Sequence, residues 1–292
     1  MRIIALYNIK GGVGKTTNTV NLACMLAKQG KTVLLWDMDP QGGSSYFFNV
    51  ENKNDNTHAR LLDNYCSIYE VIQPTQNNRI DIIGNDSKFT DQFMYKASKI
   101  TALNFANSDL IKTVLSNVED DYDICLIDCA PGRFLLHDNI FKAIDLLLIP
   151  NIPAPLSVYC NDMLLDELQS KINDKNKILC FYNMVQAHKT VHKHYLNEGQ
   201  ENYHMLNSYI PFYAEIEAIT MSKESIFQHL KEFKTNIYYE RLWQEICLHM
   251  RWHDLSNTKS VVVDINSDQE KRSSVVINLP QTNALSQTVN AK

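Results

Sequence analysis

Two lysines and three glycines fall within eight residues, Lys10-Gly11-Gly12-Val13-Gly14-Lys15-Thr16-Thr17. Such a run suits the binding of a polyanion at a single corner of the chain. Ile3-Ile4-Ala5-Leu6-Tyr7, just before it, is a short apolar run that reads as a buried strand. Val20, Ala23, Leu26 and Ala27, just after it, recur at helical spacing, and Gly30 is placed to close that helix. At a strand-to-helix corner, the N–H groups of Gly12, Val13, Gly14 and Lys15 can converge on a phosphate at the positive end of the helix dipole. Glycine lets the main chain come close. Lys15 adds a point charge for β- and γ-phosphates, and Thr16 offers the hydroxyl that such sites use on Mg²⁺.

Carboxylates follow at the ends of two later apolar runs. After a second strand comes Asp37-Met38-Asp39-Pro40-Gln41-Gly42-Gly43, and Ile124-Cys125-Leu126-Ile127 ends in Asp128 before Cys129-Ala130-Pro131-Gly132. Phosphoryl transfer needs positioning and charge neutralisation more than covalent chemistry, so one carboxylate aligning water with a γ-phosphate can suffice. Asp39 is the candidate for that role. The alternative is that Asp37 and Asp39 only cap the next helix; Asp37 reads as structural or as an outer partner of the metal.

The ordinary phosphate loop, G-x-x-x-x-G-K-[ST], fails here because Ile9 stands where its first glycine belongs. K-G-G-x-G-K-T-T, with an extra lysine at its head, resembles the deviant loop of the ParA/MinD family of dimeric ATPases. The resemblance implies that ATP and Mg²⁺ are the cofactors and that Lys10 reaches the nucleotide held by a partner subunit. It implies phosphate contacts from Gly11, Gly12, Val13, Gly14, Lys15, Thr16 and Thr17, and a metal set of Thr16, Asp39 and Asp128. Lys10, Lys15 and Asp39 would be the catalytic residues. Asp37 to Gly43 resembles the family's D-x-D-P-Q-G-N with Gly43 in place of Asn, and Asp128 to Gly132 resembles D-x-P-P with Ala130 in place of a proline. Leu148 to Ser157 resembles the segment that begins the helix facing the partner. Asn183, Pro211 and Phe212, with Tyr213, resemble the strand ends flanking the adenine. The likeness spans about residues 1 to 250.

To position these groups, the expected fold is α/β, a P-loop NTPase with a mostly parallel twisted sheet of about seven strands and helices on both faces. Strands are expected at Ile3 to Tyr7, Thr32 to Trp36, Ile80 to Ile83, Ile124 to Ile127, Leu146 to Pro150, Ile178 to Tyr182 and Ser208 to Ile210. Helices are expected at Thr16 to Gln29, Ser108 to Val118, Leu156 to Lys171 and within Glu224 to Met250. Residues 51–60 read as a polar loop. With 45 % hydrophobic residues among 292, residues 1–256 suit one ATPase domain. Residues 257–292 hold four basic and three acidic side chains and no aromatic, so they read as a disordered or edge-pairing tail. The seven cysteines lack C-x-x-C spacing and read as buried thiols.

Four outputs compete for such an ATPase. A ParA-like partition or cargo-positioning role implies a homodimer formed on ATP binding, nonspecific DNA and a ParB-like or cargo adaptor. A MinD-like membrane role needs a cationic amphipathic terminus, which LSQTVNAK does not supply. A redox carrier needs paired cysteines, and a tyrosine kinase needs a tyrosine-rich tail. A metabolic ATPase stays open. The partition branch, cytoplasmic and nucleoid-associated, with no membrane contact, is the expectation. Net charge is −5, so any DNA contact must be a local patch, and Lys189 and Lys193 share one helix face for it, with Lys223, Lys231 and Lys234 as candidate neighbours; a plain solvated surface is the competing reading.

Overall fold

The computed structural model describes residues 1–50, 57–86, 109–198, 204–213 and 236–255. The expected tail and Lys223, Lys231 and Lys234 lie outside the described residues, and Met1–Ser256 clusters as one compact unit. The strands are β1 Arg2–Leu6, β2 Val33–Asp37, β3 Ile72–Pro74, β4 Ile80–Ile83, β5 Ile124–Asp128, β6 Leu146–Asn151 and β7 Ile178–Tyr182. They form one sheet in the order β3-β4-β2-β5-β1-β6-β7, parallel throughout except for β3 against β4.

The central strands β1, β2, β5 and β6 are apolar through their middles, as strands covered on both faces must be. Helix α1 (Lys15–Lys28) and helix α8 (Asn236–Met250) cover one face, where Ile4, Leu6, Leu35, Leu126 and Leu148 meet Leu22, Leu26, Leu242 and Trp243. The opposite face packs Trp36, Ile127 and Ile149 against helices α3 (Thr57–Leu62), α4 (Leu110–Ser116), α5 (Leu135–Ala143) and α6 (Pro155–Lys171). Each fully buried Leu or Ile side chain in these layers stabilises the fold by about 1.5–3 kcal/mol. Helix α2 (Gly43–Phe47) lies against α1, and α7 (Thr190–Glu198) follows β7. Gly30 ends α1 as expected. Its φ of 88° lets its N–H reach Ala27 O at 3.0 Å and the Lys31 N–H reach Leu26 O at 3.1 Å, a paired closure that satisfies the last carbonyls.

The membership of the sheet differs from expectation in one strand. Ser208 to Ile210 is not a strand. The segment from His204 to Phe212 runs beside β7, but Leu206 N–H bonds Cys180 O while Ile210 N–H bonds Tyr182 O, so four residues on one side span two on the other. The slack is taken up by α8, where the Glu245 carboxylate accepts from Asn207 N at 2.8 Å and Ser208 N at 2.7 Å. The seventh strand is instead β3, a short edge strand whose Pro74 is tolerated because an edge needs fewer ladder bonds. The polar loop expected at 51–60 gives way to α3 from Thr57, because Leu61 and Leu62 bury on the sheet. Five cysteines are buried, whereas Cys66 and Cys160 are only partly so, and all seven are free.

Candidate functional site

The phosphate-loop residues leave β1 with Asn8 and enter α1 at Lys15. Asn8 is buried, donates to Pro150 O at the end of β6 (2.9 Å) and accepts from Lys10 N (2.9 Å), so it fixes the head of the loop to the sheet. Gly12 (φ 73°) and Gly14 (φ 90°) take left-handed conformations that side-chain-bearing residues avoid. Lys15 is 6 % exposed, and its Nζ donates to Lys10 O at 3.2 Å, bringing the ammonium across the mouth of the loop. Burial lowers its pKa, while Asp128, Cys129 and Asp39 act in the opposite sense. Thr16 and Thr17 stand in the first turn of α1.

The outer side of the loop is held by two amides. Asn183 Nδ2 donates to Val13 O at 2.8 Å, and Asn18 Nδ2 donates to Gly14 O at 2.7 Å. Asn18 Oδ1 accepts in turn from the Tyr239 hydroxyl of α8 at 3.0 Å. With the carbonyls engaged outward, the loop N–H groups are left for its inner side. Asn183, expected at the adenine edge, thus has its amide on the phosphate loop. Pro211 and Phe212 lie next to the residues after β7, with Phe212 N donating to Val185 O at 2.9 Å, and Phe212 is 42 % exposed.

The carboxylates divide sharply by environment. Asp37 and Asp128 pair across β2 and β5 at the strand ends, both wholly buried. Asp37 accepts from Ser45 N (2.8 Å), Ser45 Oγ (2.7 Å) and Asp39 N (3.2 Å), so both its oxygens serve the turn into α2. The capping alternative therefore describes Asp37. Asp128 Oδ2 accepts from Ser44 Oγ at 2.7 Å, and its Oδ1 is buried with no hydrogen-bond partner. Desolvation raises Asp37 to about 6. Desolvation and then the nearby Asp37 raise Asp128 to about 8, against the hydroxyls of Ser44 and Thr16, which favour its charged form. Asp39 is half-buried at the loop rim, and its Oδ1 accepts from Gln41 N at 2.9 Å.

A hydroxyl at Thr16, a half-buried carboxylate at Asp39 and an orphaned carboxylate oxygen at Asp128 are hard oxygen donors around one phosphate loop. They fit a magnesium ion that keeps several waters and takes its remaining ligands from phosphates. Among the described residues no His, Cys, Asp and Glu cluster forms a self-contained metal cage.

The loop after Asp128 is joined to the phosphate loop by two bonds. Gly132 N donates to Ile9 O at 3.0 Å, and the Tyr7 hydroxyl donates to Gly132 O at 2.8 Å. Gly132 has φ 93°, which permits this turn. Below it, buried His137 lies 4.5 Å from the Tyr7 ring, and desolvation holds its pKa down at about 3, so it is neutral. Ser44, Ser45, Asn8, Asn18 and Tyr239 had not been singled out from sequence. The consecutive hydroxyls at 44 and 45 are the one local signal; Tyr239 has none, being 221 residues from Asn18.

Lys189 and Lys193 are exposed at the start of α7, with Lys193 N donating to Lys189 O at 3.1 Å. His188 and His194 are exposed beside them, whereas His192 is buried, accepts from Gln186 N and has its pKa lowered by desolvation. On α6, Leu156, Tyr159 and Met163 are exposed on one face at spacings of three and four. Among the described residues no helix is long and apolar enough to cross a membrane.

A family model described as an AAA domain matches residues 1–181. The chromosome partitioning protein ParA of Myxococcus xanthus is 34 % identical over 151 residues, which is 51 % of this chain and 51 % of that protein. The sporulation initiation inhibitor protein Soj of Bacillus subtilis is 32 % identical over 174 residues, 59 % of this chain and 64 % of that protein. The matches thus span from about half to under two thirds of these relatives. Among solved structures, apo McdA from Cyanthece superposes with a TM-score of 0.70 at 19 % identity, covering 86 % of this chain and 99 % of that one. A plasmid partition protein from Borrelia burgdorferi bound to AMPPNP gives 0.65 at 23 % identity, covering 83 % and 99 %. A cobyrinic acid a,c-diamide synthase from Mycobacterium smegmatis with bound ATP analogue and magnesium gives 0.61 at 20 % identity, covering 80 % and 98 %. At these identities the structural likeness speaks to the fold.

Proposed function

The chain belongs to the ParA/MinD family of P-loop ATPases, and from that premise we propose that it is a Mg²⁺-dependent ATPase that positions DNA or another cargo. The observation that carries the reading is the convergence of Lys15, Thr16, Asp39 and Asp128 on one glycine-rich loop, with one buried carboxylate oxygen unpartnered. In this reading the loop N–H groups and Lys15 hold the phosphates. Thr16, with Asp128 and Asp39, would hold Mg²⁺, which when bound draws charge from the β- and γ-phosphate oxygens. Asp39, at the rim, orients the water that attacks the γ-phosphate. Hydrolysis is slow and is raised by a ParB-like or cargo adaptor.

ATP joins two copies, with Lys10 of each reaching the other's nucleotide. The exposed Leu156, Tyr159 and Met163 on α6 support this, because a dimer gives that apolar face a cover. The dimer aligns two copies of the Lys189 and Lys193 patch on nonspecific DNA, and hydrolysis releases it. The ATPase domain is residues 1–256, with 257–292 outside it, and the protein acts in the cytoplasm at the nucleoid. The test is whether ATP, and not ADP, makes the purified protein dimerise in analytical ultracentrifugation and retain an arbitrary duplex. A protein that binds ATP yet stays monomeric and free of DNA would point instead to a metabolic output.

A further inference from the structure

The first three residues of α2 meet Thr16, Asp128 and Asp37 in turn, two of them candidate metal donors and the third the buried carboxylate beside them. Gly43 lies so close to Thr16 that a Cβ there would come within 2.7 Å of Thr16 Cγ2. Ser44 donates to Asp128 Oδ2 at 2.7 Å, and Ser45 donates to Asp37 Oδ2 at 2.7 Å. The two carboxylates sit at adjacent strand ends but are treated differently. Both oxygens of Asp37 are taken by the turn, whereas Asp128 has one oxygen taken and one orphaned. Among the described residues Ser44 is the one short side-chain anchor on Asp128, the Thr16 hydroxyl acting on it more weakly, so Ser44 chiefly sets how the carboxylate is turned about its last bond. Ser44 is wholly buried, on a helix whose start is tied by Tyr46 N to Gly42 O, so the anchor is itself held.

We propose that Ser44 is a positioning residue for the divalent cation: by occupying Asp128 Oδ2 it leaves Oδ1 as the oxygen presented to the metal's shell. The proposal rests on the ATPase reading and deepens it, because it names a residue outside the loop and strand motifs that sets metal affinity. Outer partners of this kind typically change metal affinity about 10- to 100-fold when removed. Here the partner holds one of several donors, so the lower end applies.

The experiment is a Mg²⁺ titration of fluorescent ATP-analogue binding to the full chain, for the unsubstituted protein and Ser44→Ala, with a parallel measurement in EDTA. The expected result is a Mg²⁺ midpoint raised about tenfold, with analogue affinity in EDTA within about twofold. That split separates positioning from simple loss of structure. An unchanged midpoint, or an equal loss with and without Mg²⁺, overturns the role of Ser44. Failure of the unsubstituted protein to bind the analogue under either condition removes the ATPase reading and this proposal with it.

Discussion

Gly14→Ala tests the geometry of the phosphate loop most directly. At φ 90° an alanine Cβ would lie 2.2 Å from Asn183 Nδ2, so the amide must leave Val13 O. The left-handed conformation costs about 1–2 kcal/mol for a residue with a side chain. The vacated, buried Val13 carbonyl costs about 1–3 kcal/mol more. Gly14→Ala should therefore destabilise the nucleotide-free protein by roughly 2–5 kcal/mol, measured by urea unfolding followed by circular dichroism. Asn183→Ala removes the same hydrogen bond without the strain and should cost about 1–3 kcal/mol. Because both substitutions lose one shared bond, the double variant should be no less stable than Gly14→Ala alone, giving a coupling of about 1–3 kcal/mol in a double-mutant cycle. Strict additivity would refute the reasoning, since it would mean that Asn183 does not sit over Gly14.

Asp39→Ala should keep ATP binding and accumulate the ATP dimer, because the loop, Lys15, Thr16 and Asp128 still hold nucleotide and metal while the water loses its orienting carboxylate; normal phosphate release in a coupled assay would move that role elsewhere. Lys189→Glu with Lys193→Glu should lower duplex affinity at least tenfold and flatten its dependence on salt, because each neutralised phosphate steepens the log–log slope by about 0.9; an unchanged slope in fluorescence anisotropy would clear the patch of a DNA role. The buried pair also sets a pH dependence. Asp37 and Asp128 are raised to about 6 and about 8, above the ordinary carboxylate value, so the folded state holds protons that the unfolded chain has lost. Their stabilising contribution is present below the unfolded pKa and is lost as pH rises through those values. Above about pH 7.5, where His58, His137, His192 and His204, all with lowered pKa, are neutral in the folded state and nearly so in the unfolded chain, the melting temperature of the nucleotide-free protein should fall toward about pH 8.5, and Asp128→Asn should flatten that fall.

The parallel layers were legible in the sequence because Val33–Asp37 and Ile124–Asp128 are apolar up to their closing aspartates and Ile178–Tyr182 is apolar throughout, the mark of strands covered twice. Edges were less so. Ile72–Pro74 is three residues with an unpromising proline, while Ser208 to Ile210 has strand-like residues but loses its ladder at the start, where the N–H groups of Asn207 and Ser208 are claimed by Glu245 from a distant helix. Helix α5 was missed because it follows Pro131-Gly132 without a capping residue, and what fixes it is the burial of Leu136, Ile140 and Phe141. In the candidate site, the loop could be read from its residues and spacing, and the three carboxylates from their place at strand ends together with the family resemblance. Which carboxylate is spent on the chain and which keeps an idle oxygen depends on Ser44 and Ser45, whose side-chain directions are settled only by how α2 docks.

The reach of Tyr239 to Asn18 has a bearing on how the molecule is made. On one face of the sheet Tyr239, Leu242, Trp243 and Ile246 complete a cover that α1 begins, and they leave the ribosome long after the elements they shield. A nascent chain stopped before them has α1 on the sheet but leaves the apolar surface beside it open, and chains with such patches associate with one another or recruit chaperones. Any fragment that ends with the AAA-domain match at residue 181 should thus be insoluble when expressed alone, although it contains every motif residue from Lys10 to Asp128.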